Sequence, residues 1–390
     1  MPETFFYFPI LKTRPSEITA YELLNDSIKD EILPIIEMTG ALGYRFPKNY
    51  KVESLRGKKH PGNINKKVDK ILYFIGKRRF ILDITDDDSL KYDGLGEANG
   101  GLLDPTDGYT AWISFLEQNT SFKEQVIPTI QFNTMYRSDV EKQIKFLSEK
   151  FDYIAIKLPA FLKENNTAVP NSNLQQIIDF ILNLLTKKKE LQLILILDFD
   201  YQRDFDKAKI ESVLTYITNI KNLKAVIPVS SSFPNSVANC PHLILVNEND
   251  ISDCVKNKLN NSNIYHGDYS AIHPTKYEMG GGGWIPRIDY VFRDVSSKRP
   301  QEYNYERGSI SNVSNNFTTA DYIQLASQVI NSNKYKKIDE ISVEGDNRIL
   351  AKANGGKEGN APSYWITVRS NIYMAMQYFY LKKQGSSLTL

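Results

Sequence analysis

The sequence predicts an α/β fold, a (β/α)8 barrel of the TIM type followed by a C-terminal extension. Three features predict it: a strand motif that recurs with proline inside it, further apolar runs of strand length, and amphipathic segments of helical period between them.

The recurring motif is an apolar stretch, a proline, two mostly apolar residues and a polar residue. Its copies are Phe8-Pro9-Ile10-Leu11-Lys12, Leu33-Pro34-Ile35-Ile36-Glu37, Ile127-Pro128-Thr129-Ile130-Gln131 and Ile227-Pro228-Val229-Ser230-Ser231. Proline is excluded from most central strand positions but tolerated where a strand begins, so each copy reads as a short buried strand entered through proline. The polar residue then falls near the strand's C-terminal end. Runs without proline fit the same scheme at Arg79 to Ile84, Tyr153 to Leu158, Leu193 to Asp198, Leu243 to Asn247 and Asn263 to Tyr269. Near-continuous apolar runs are what parallel strands covered on both faces require.

Segments near 16–30, 137–150, 173–188, 205–219 and 250–259 carry the helical period. About eight or nine strands alternating with helices favour a closed barrel over an open doubly wound sheet. No glycine-rich dinucleotide fingerprint follows the first strand to support the open alternative. The barrel is assigned to residues 1–275 and the extension, packed on or over it, to 276–390. Gly280-Gly281-Gly282-Gly283 lacks the Lys-Ser/Thr of a phosphate-binding loop and reads as a flexible break.

Composition excludes several classes. With 390 residues, 41% of them hydrophobic, the chain can bury a large core. Lys plus Arg at 48 against Asp plus Glu at 46 gives a net charge of +2, too small a field to draw the whole molecule to nucleic acid or an anionic membrane. Cys240 and Cys254 have neither the number nor the spacing of a disulfide framework or zinc site. The opening residues lack the basic and apolar regions of a signal peptide, and no apolar run is long enough to span a bilayer, so a cytoplasmic location is expected.

In barrels of this class the functional residues stand at the C-terminal ends of the strands. Here those are Lys12, Glu37, Asp83, Gln131, Lys157, Asp198, Asp200, Ser231 and Asp268. A ring that mixes carboxylates with lysines is expected to be mutually paired and partly solvated, because a lone buried charge is costly. Asp198 and Asp200 lie two apart and would share one side of a continuing strand, as a divalent cation or acid–base chemistry requires; alternatively Asp200 caps the next helix. Thr85-Asp86-Asp87-Asp88-Ser89 reads as a solvated helix start, since adjacent side chains do not converge without a special turn. Lys157 invites a Schiff-base role, but an anion anchor or a partner for Asp198 is the stronger reading. None of the histidines forms a common metallohydrolase arrangement, and His266 is singled out for its place beside Gly267-Asp268-Tyr269.

Taken together these motifs resemble the phage and prophage beta protein family. Tyr7-Phe8-Pro9-Ile10-Leu11-Lys12 is similar to its opening strand, Leu33-Pro34-Ile35-Ile36-Glu37 to its second, and Leu197-Asp198-Phe199-Asp200-Tyr201 to its acidic strand. Gly267-Asp268-Tyr269 with Pro274 resembles its Gly-Asp-Tyr segment, and Arg307-Gly308, Gly345-Asp346, Gly359, Trp365 and Asn371 follow its C-terminal order. Where the family pattern has a His-His pair after the last asparagine, this chain has Ile372-Tyr373, so no role of those histidines carries over. The resemblance implies a place in phage–host conflict and fixes no reaction.

Two functional readings follow. In the first, the strand-end mouth binds an anionic, phosphate-bearing small molecule or nucleotide, as a hydrolase with or without a divalent cation. Glu37, Asp83, Asp198, Asp268 and Lys157 would be its chemical groups, with Lys12, Gln131, Asp200, Ser231, His266, Tyr269, Arg287 and Arg307 binding substrate. In the second, the mouth is a recognition module for a phage protein or nucleic acid, with Trp284, Tyr290, Tyr303 and Tyr305 stacking on bases among Arg287, Arg293 and Arg307, unless these aromatics only pack the extension.

Overall fold

A computed structural model describes residues 3–41, 63–91, 101–119, 124–165, 167–185, 192–236, 243–275, 286–293, 299–307, 319–333 and 342–390, with isolated positions between them. The fold is mixed α/β. Among the described residues its centre is formed by eight parallel strands: β1 (Phe8–Lys12), β2 (Ile35–Met38), β3 (Phe80–Ile84), β4 (Val126–Pro128), β5 (Tyr153–Pro159), β6 (Gln192–Tyr201), β7 (Ala225–Ser231) and β8 (Gly267–Asp268). They lie in a five-stranded sheet of order β8-β1-β2-β3-β4 and a three-stranded sheet of order β7-β6-β5. Isolated parallel bridges join Thr129 to Ala155 and Val226 to Ile264, linking the edge strands of one sheet to those of the other.

The pleat sorts each strand's side chains between two separate hydrophobic clusters. The larger one lies between the sheets and the helices and takes Leu11, Ile36, Leu82, Ile156 and Leu197. The smaller one, on the opposite face, takes the alternate residues of the strands of both sheets, among them Phe8, Ile10, Ile35, Ile81, Ile127, Ala155, Ile194, Ile196 and Ile227. The motif prolines Pro9, Pro34, Pro128 and Pro228 all fall at the helix-facing parity. Pro34 precedes its strand as expected, but Pro228 stands in the middle of β7, aligned with Leu197 of β6.

Helices Pro15–Glu22, Arg137–Lys150, Leu174–Leu185, Lys207–Leu214 and Glu248–Leu259 occupy the segments whose period predicts them. One predicted parallel strand belongs elsewhere. Leu243–Leu245 pairs antiparallel with Pro300–Arg307, which in turn pairs with Arg287–Arg293. A short apolar run does not reveal its partner, and Leu245 is 57% exposed rather than buried on both faces.

The C-terminal elements are built into the molecule. Helix Pro362–Gln384, 23 residues long, is buried around most of its circumference, as its apolar residues on all sides require. It lies against helix Pro15–Glu22, where Asn371 Nδ2 donates to the Ala20 carbonyl at 2.9 Å and Thr367 Oγ1 to that of Ser16 at 3.1 Å. Beyond it, Leu388–Thr389 pairs antiparallel with Thr4–Phe5, and Phe5 and Leu388 add to the smaller hydrophobic cluster. Cys254 is a free, buried thiol, whereas Cys240, His242, the Gly280–Gly283 run and Trp284 lie outside the described residues. Among the described residues, no helix is long and apolar enough to cross a membrane.

Gly267 stands where β8 comes close to β1 and β7. A Cβ there would stand 2.7 Å from a Val229 methyl, 2.8 Å from an Ile227 methyl and 2.8 Å from the Phe8 carbonyl oxygen. Gly267→Ala is therefore expected to destabilise by about 1–3 kcal/mol through overpacking, read as a lower thermal or urea midpoint. An unchanged midpoint would show that β8 does not lie so close to β1 and β7.

Candidate functional site

The site starts from register. Lys12 lies opposite Glu37 across β1 and β2, and Glu37 opposite Asp83 across β2 and β3, so three charged residues of adjacent strands stand at one level. Each is two residues beyond a member of the smaller cluster, Ile10, Ile35 and Ile81, so all three point to that cluster's face. By the same alternation Thr129 follows Ile127, Lys157 follows Ala155 and Asp198 follows Ile196. The apolar layer thus ends in a polar layer at the strands' C-terminal ends.

Lys157 organises this layer. Its side chain is 5% exposed, and its ammonium meets Glu37 Oε1 at 2.6 Å, Asp86 Oδ2 at 2.7 Å and Asp83 Oδ2 at 3.1 Å. The second oxygen of Glu37 takes the Lys12 ammonium in a short contact, and Thr85 Oγ1 is 3.4 Å from both groups. Thr129 Oγ1 donates to Asp83 Oδ1 at 2.7 Å, and Gln131 Nε2 donates to Thr129 Oγ1 at 2.8 Å. No hydrogen-bond donor is aligned on Asp83 Oδ2, which has Lys157 as its ionic partner.

Electrostatics separates the carboxylates. Burial alone would raise Glu37, but Lys12 and Lys157 overcome it and hold the carboxyl at about 2. Burial, with Asp86 and Glu37 nearby, keeps Asp83 above the usual carboxylate range despite Lys157. Desolvation opposes the charged form of Lys157, yet Asp86, Glu37 and Asp83 together raise it well above the usual lysine value. A permanently charged amine bound to three carboxylates is not a Schiff-base nucleophile. It also stands where those carboxylates would converge on a metal, so a cation does not fit between them. Among the described residues, no group of three or more His, Cys, Asp or Glu side chains is arranged to hold a metal.

Asp198 differs from these groups. It keeps some exposure at the strand end, but desolvation of its carboxyl dominates over Lys157 and pushes it up to about 7. Tyr269 OH donates to its Oδ2 at 2.6 Å, and the Asp200 amide to its Oδ1 at 2.8 Å. Asp200 itself has φ of 57°, and the β6–β7 register shifts between Asp198 and Tyr201. This irregularity breaks the alternation that would have put both aspartates on one side, and Asp200 is exposed.

Other predicted residues are placed away from this cluster. In the last strand Tyr265, Gly267 and Tyr269 hold the inner parity, so Asp268 and His266 face the helices. There Asp268 accepts from Tyr7 OH at 2.5 Å, Tyr373 OH at 3.2 Å and the Ser270 amide at 2.8 Å. His266 contacts Asp268 through Nε2 at 3.0 Å and Ser252 Oγ through Nδ1 at 2.8 Å. Ser252, His266 and Asp268 have the order of a hydrolytic triad, but all three are buried, and Asp268 is saturated by groups that tie β8 to helix Pro362–Gln384. Ser231 Oγ accepts the Phe233 amide at 3.1 Å in a local turn.

Arg287 pairs with Asp289 at 2.7 Å and lies opposite Arg307 in the antiparallel hairpin, which packs against helix Pro362–Gln384. Tyr290 and Tyr303 are buried there, so their rings pack the extension instead of offering stacking faces; the Tyr305 side chain lies outside the described residues. Sequence reasoning missed Thr85 and Thr129, although both stand at the inner parity of strands already identified. It also missed Gln377, which accepts from Asn249 Nδ2 at 3.2 Å and donates to Tyr373 OH at 2.8 Å and which no sequence pattern marks.

A concavity of about 1020 Å3 opens at the other end of the strands, lined by Glu3, Lys77, Arg79, Asp152 and Tyr153 among others; no residue of the polar layer lines it. Its lining mixes acidic and basic side chains.

The Beta protein family model matches residues 7–379. The chain belongs to the Beta protein family. Protein beta of Enterobacteria phage P4 is 26% identical to it, over 96% of this chain and 93% of that protein. Several family-pattern residues of this member are structural locks. Gly345 donates its amide to Asn371 Oδ1 at 2.8 Å, Asp346 accepts from Tyr335 OH at 2.8 Å, and Trp365 Nε1 donates to the Gly359 carbonyl at 3.0 Å.

The Asp198 shift carries a sign. Its folded value, about 7, exceeds the ordinary value of 3.8, so the protonated folded form is favoured, and that stabilisation is full below about pH 4 and lost as pH rises to about 7. Asp198→Asn, which does not ionise, is expected to gain stability relative to the parent across this window, at up to roughly 1.4 kcal/mol per pH unit. Parallel melting curves from pH 4 to 8 check it; a pH-independent difference would refute the shift. Glu37→Gln should instead cost about 3–5 kcal/mol at neutral pH, because it leaves two buried ammonium groups short of a partner, measured as a lowered denaturation midpoint.

Proposed function

We propose that the parallel strands close into a (β/α)8 barrel of the TIM type whose strand-end mouth binds a small, phosphate-bearing ligand, with Asp198 as the proton-transferring group of a hydrolytic reaction. Closure is supported by the bridges at both seams and by backbone hydrogen bonds from Ile130 to Ala155 at 2.8 Å and from Tyr265 to Val226 at 2.9 Å. One hydrophobic cluster fed by the strands of both sheets supports it too.

The observation that carries the reading is the contrast between Glu37 and Asp198 on one face of the strands. A carboxyl held near 7 exists in both protonation states at neutral pH, as a general acid or base must, while its neighbour at about 2 remains a fixed charge. Tyr269 OH orients the Asp198 carboxyl through its Oδ2. Asp198 would take a proton from an attacking water or give one to a leaving oxygen, and Lys157, with Lys12 behind it, would face the ligand's anionic group. No metal-dependent step is needed by these groups. The activity would serve phage–host conflict in the cytoplasm, a reading for which the similarity to a phage protein is the support.

The test is turnover and binding across a panel of nucleoside phosphates and sugar phosphates, with phosphate release as the readout. Asp198→Asn is expected to lower turnover by about 10²- to 10⁴-fold and to remove a pH limb near 7, while melting close to the parent at about pH 4 and no lower than the parent above it. A variant with full turnover would remove Asp198 from the chemistry. Binding without turnover by the parent would leave the mouth as a recognition site only.

A further inference from the structure

We propose that Asp86 is an internal stand-in for the ligand's acidic group: its carboxylate holds the solvent-facing position on the Lys157 ammonium, and an oxyanion of the ligand takes that position when Asp86 swings out. The proposal rests on the reading of the mouth as a ligand site and adds how that site is guarded.

The Lys157 ammonium stands in ion-pair contact with three carboxylates. The three are not equivalent. The side chains of Glu37 and Asp83 are 1% and 5% exposed, fixed by their strands, and tied to Lys12 and Thr129 respectively. Neither can leave without stranding a buried charge. Asp86 lies beyond the end of β3 with its side chain 78% exposed. It regains water when it departs, so its pairing with Lys157 is exchangeable in the way of a surface ion pair.

Its neighbours in the acidic run turn elsewhere. Asp87 Oδ1 accepts the Ser89 amide at 3.0 Å, and Asp88 pairs with Lys91 at 2.8 Å. The three adjacent acids therefore do not form a cation site, and Asp86 is the one directed at Lys157. What replaces a carboxylate oxygen on a buried ammonium is another anionic oxygen, of a carboxylate or a phosphate. A cationic group does not fit this position.

The test is calorimetric titration of the full chain with inorganic phosphate and, separately, acetate, at ionic strength fixed with sodium chloride, for the parent, Asp86→Ala and Asp86→Asn. Because Asp86 is exposed, both variants are expected to melt with the parent. Both should bind at least one of the anions about ten-fold tighter than the parent or better, and the bound anion should shift the Lys157 Nζ resonance. The preferred anion separates a phosphate-bearing from a carboxylate-bearing ligand. If the parent binds an anion and the variants bind it no tighter, the stand-in role is overturned and the mouth reading survives. If neither parent nor variants bind either anion, both are overturned.

Discussion

A lysine ammonium buried at the end of a parallel strand is stable only if carboxylates come to meet it, and the arrangement of the polar layer follows from that requirement. Lys157 is supplied with Glu37 and Asp83 from strands adjacent to one another, at matched register, and Glu37 is balanced in turn by Lys12. Register cannot slip without loss, since moving any of these strands by one residue would turn its charge toward the helix-facing apolar cluster and a helix-facing apolar residue into the polar layer. The ion pairs and the hydrophobic clusters thus specify the same alignment. The pairing is weak evidence for net stability, but it fixes where each carboxylate points.

Asp198 shows what happens to an acid on the same face without a cation in ion-pair contact. Its partners are a phenol and an amide, both neutral, so they cannot offset the desolvation that Lys12 and Lys157 offset for Glu37. Two carboxyls of one layer are thereby held at about 2 and about 7 through the placement of two lysines. That asymmetry, and not a count of acidic residues, distinguishes this end of the strands from the mixed-charge concavity at the other.

The strands and the polar residues ending them were legible because both signals are local: a short apolar run flanked by a charged residue is visible in the chain itself. Lys12, Glu37, Asp83, Lys157 and Asp198 were found on that ground. Face was legible too where a strand is long enough to alternate, and the motif prolines mark the outer parity. It failed at β8, which is two residues long and offers no alternation to anchor Asp268, and at Asp200, where a left-handed residue interrupts the pleat. The Leu243 run and the hairpin tyrosines failed for another reason. Their partners lie 42 to 61 residues away in sequence, Ser332 for Tyr290, Glu248 for Tyr303 and Asn304 for Leu243, and nothing local records such contacts.

The adjacent residues Asp268 and Tyr269 also explain why the C-terminal helix matters to the polar layer. The pleat sends Tyr269 to Asp198 and Asp268 to Tyr373, so one strand end is bonded to the candidate acid on one face and to the C-terminal helix on the other. The helix is held in turn by Asn249 Nδ2, which donates to Gln377 Oε1 at 3.2 Å, by Arg369 on the Ala271 carbonyl at 3.0 Å, and by Asn371 on helix Pro15–Glu22. Ser270 and Ala271, which follow directly, both have positive φ, a costly backbone for non-glycine residues that persists only where surrounding contacts over-determine it. The contacts that do so come from Asp268 and from Arg369 of the helix. The position of the Tyr269 hydroxyl, and with it the environment that lifts Asp198, is therefore set by residues beyond position 360 as much as by the strand that carries it.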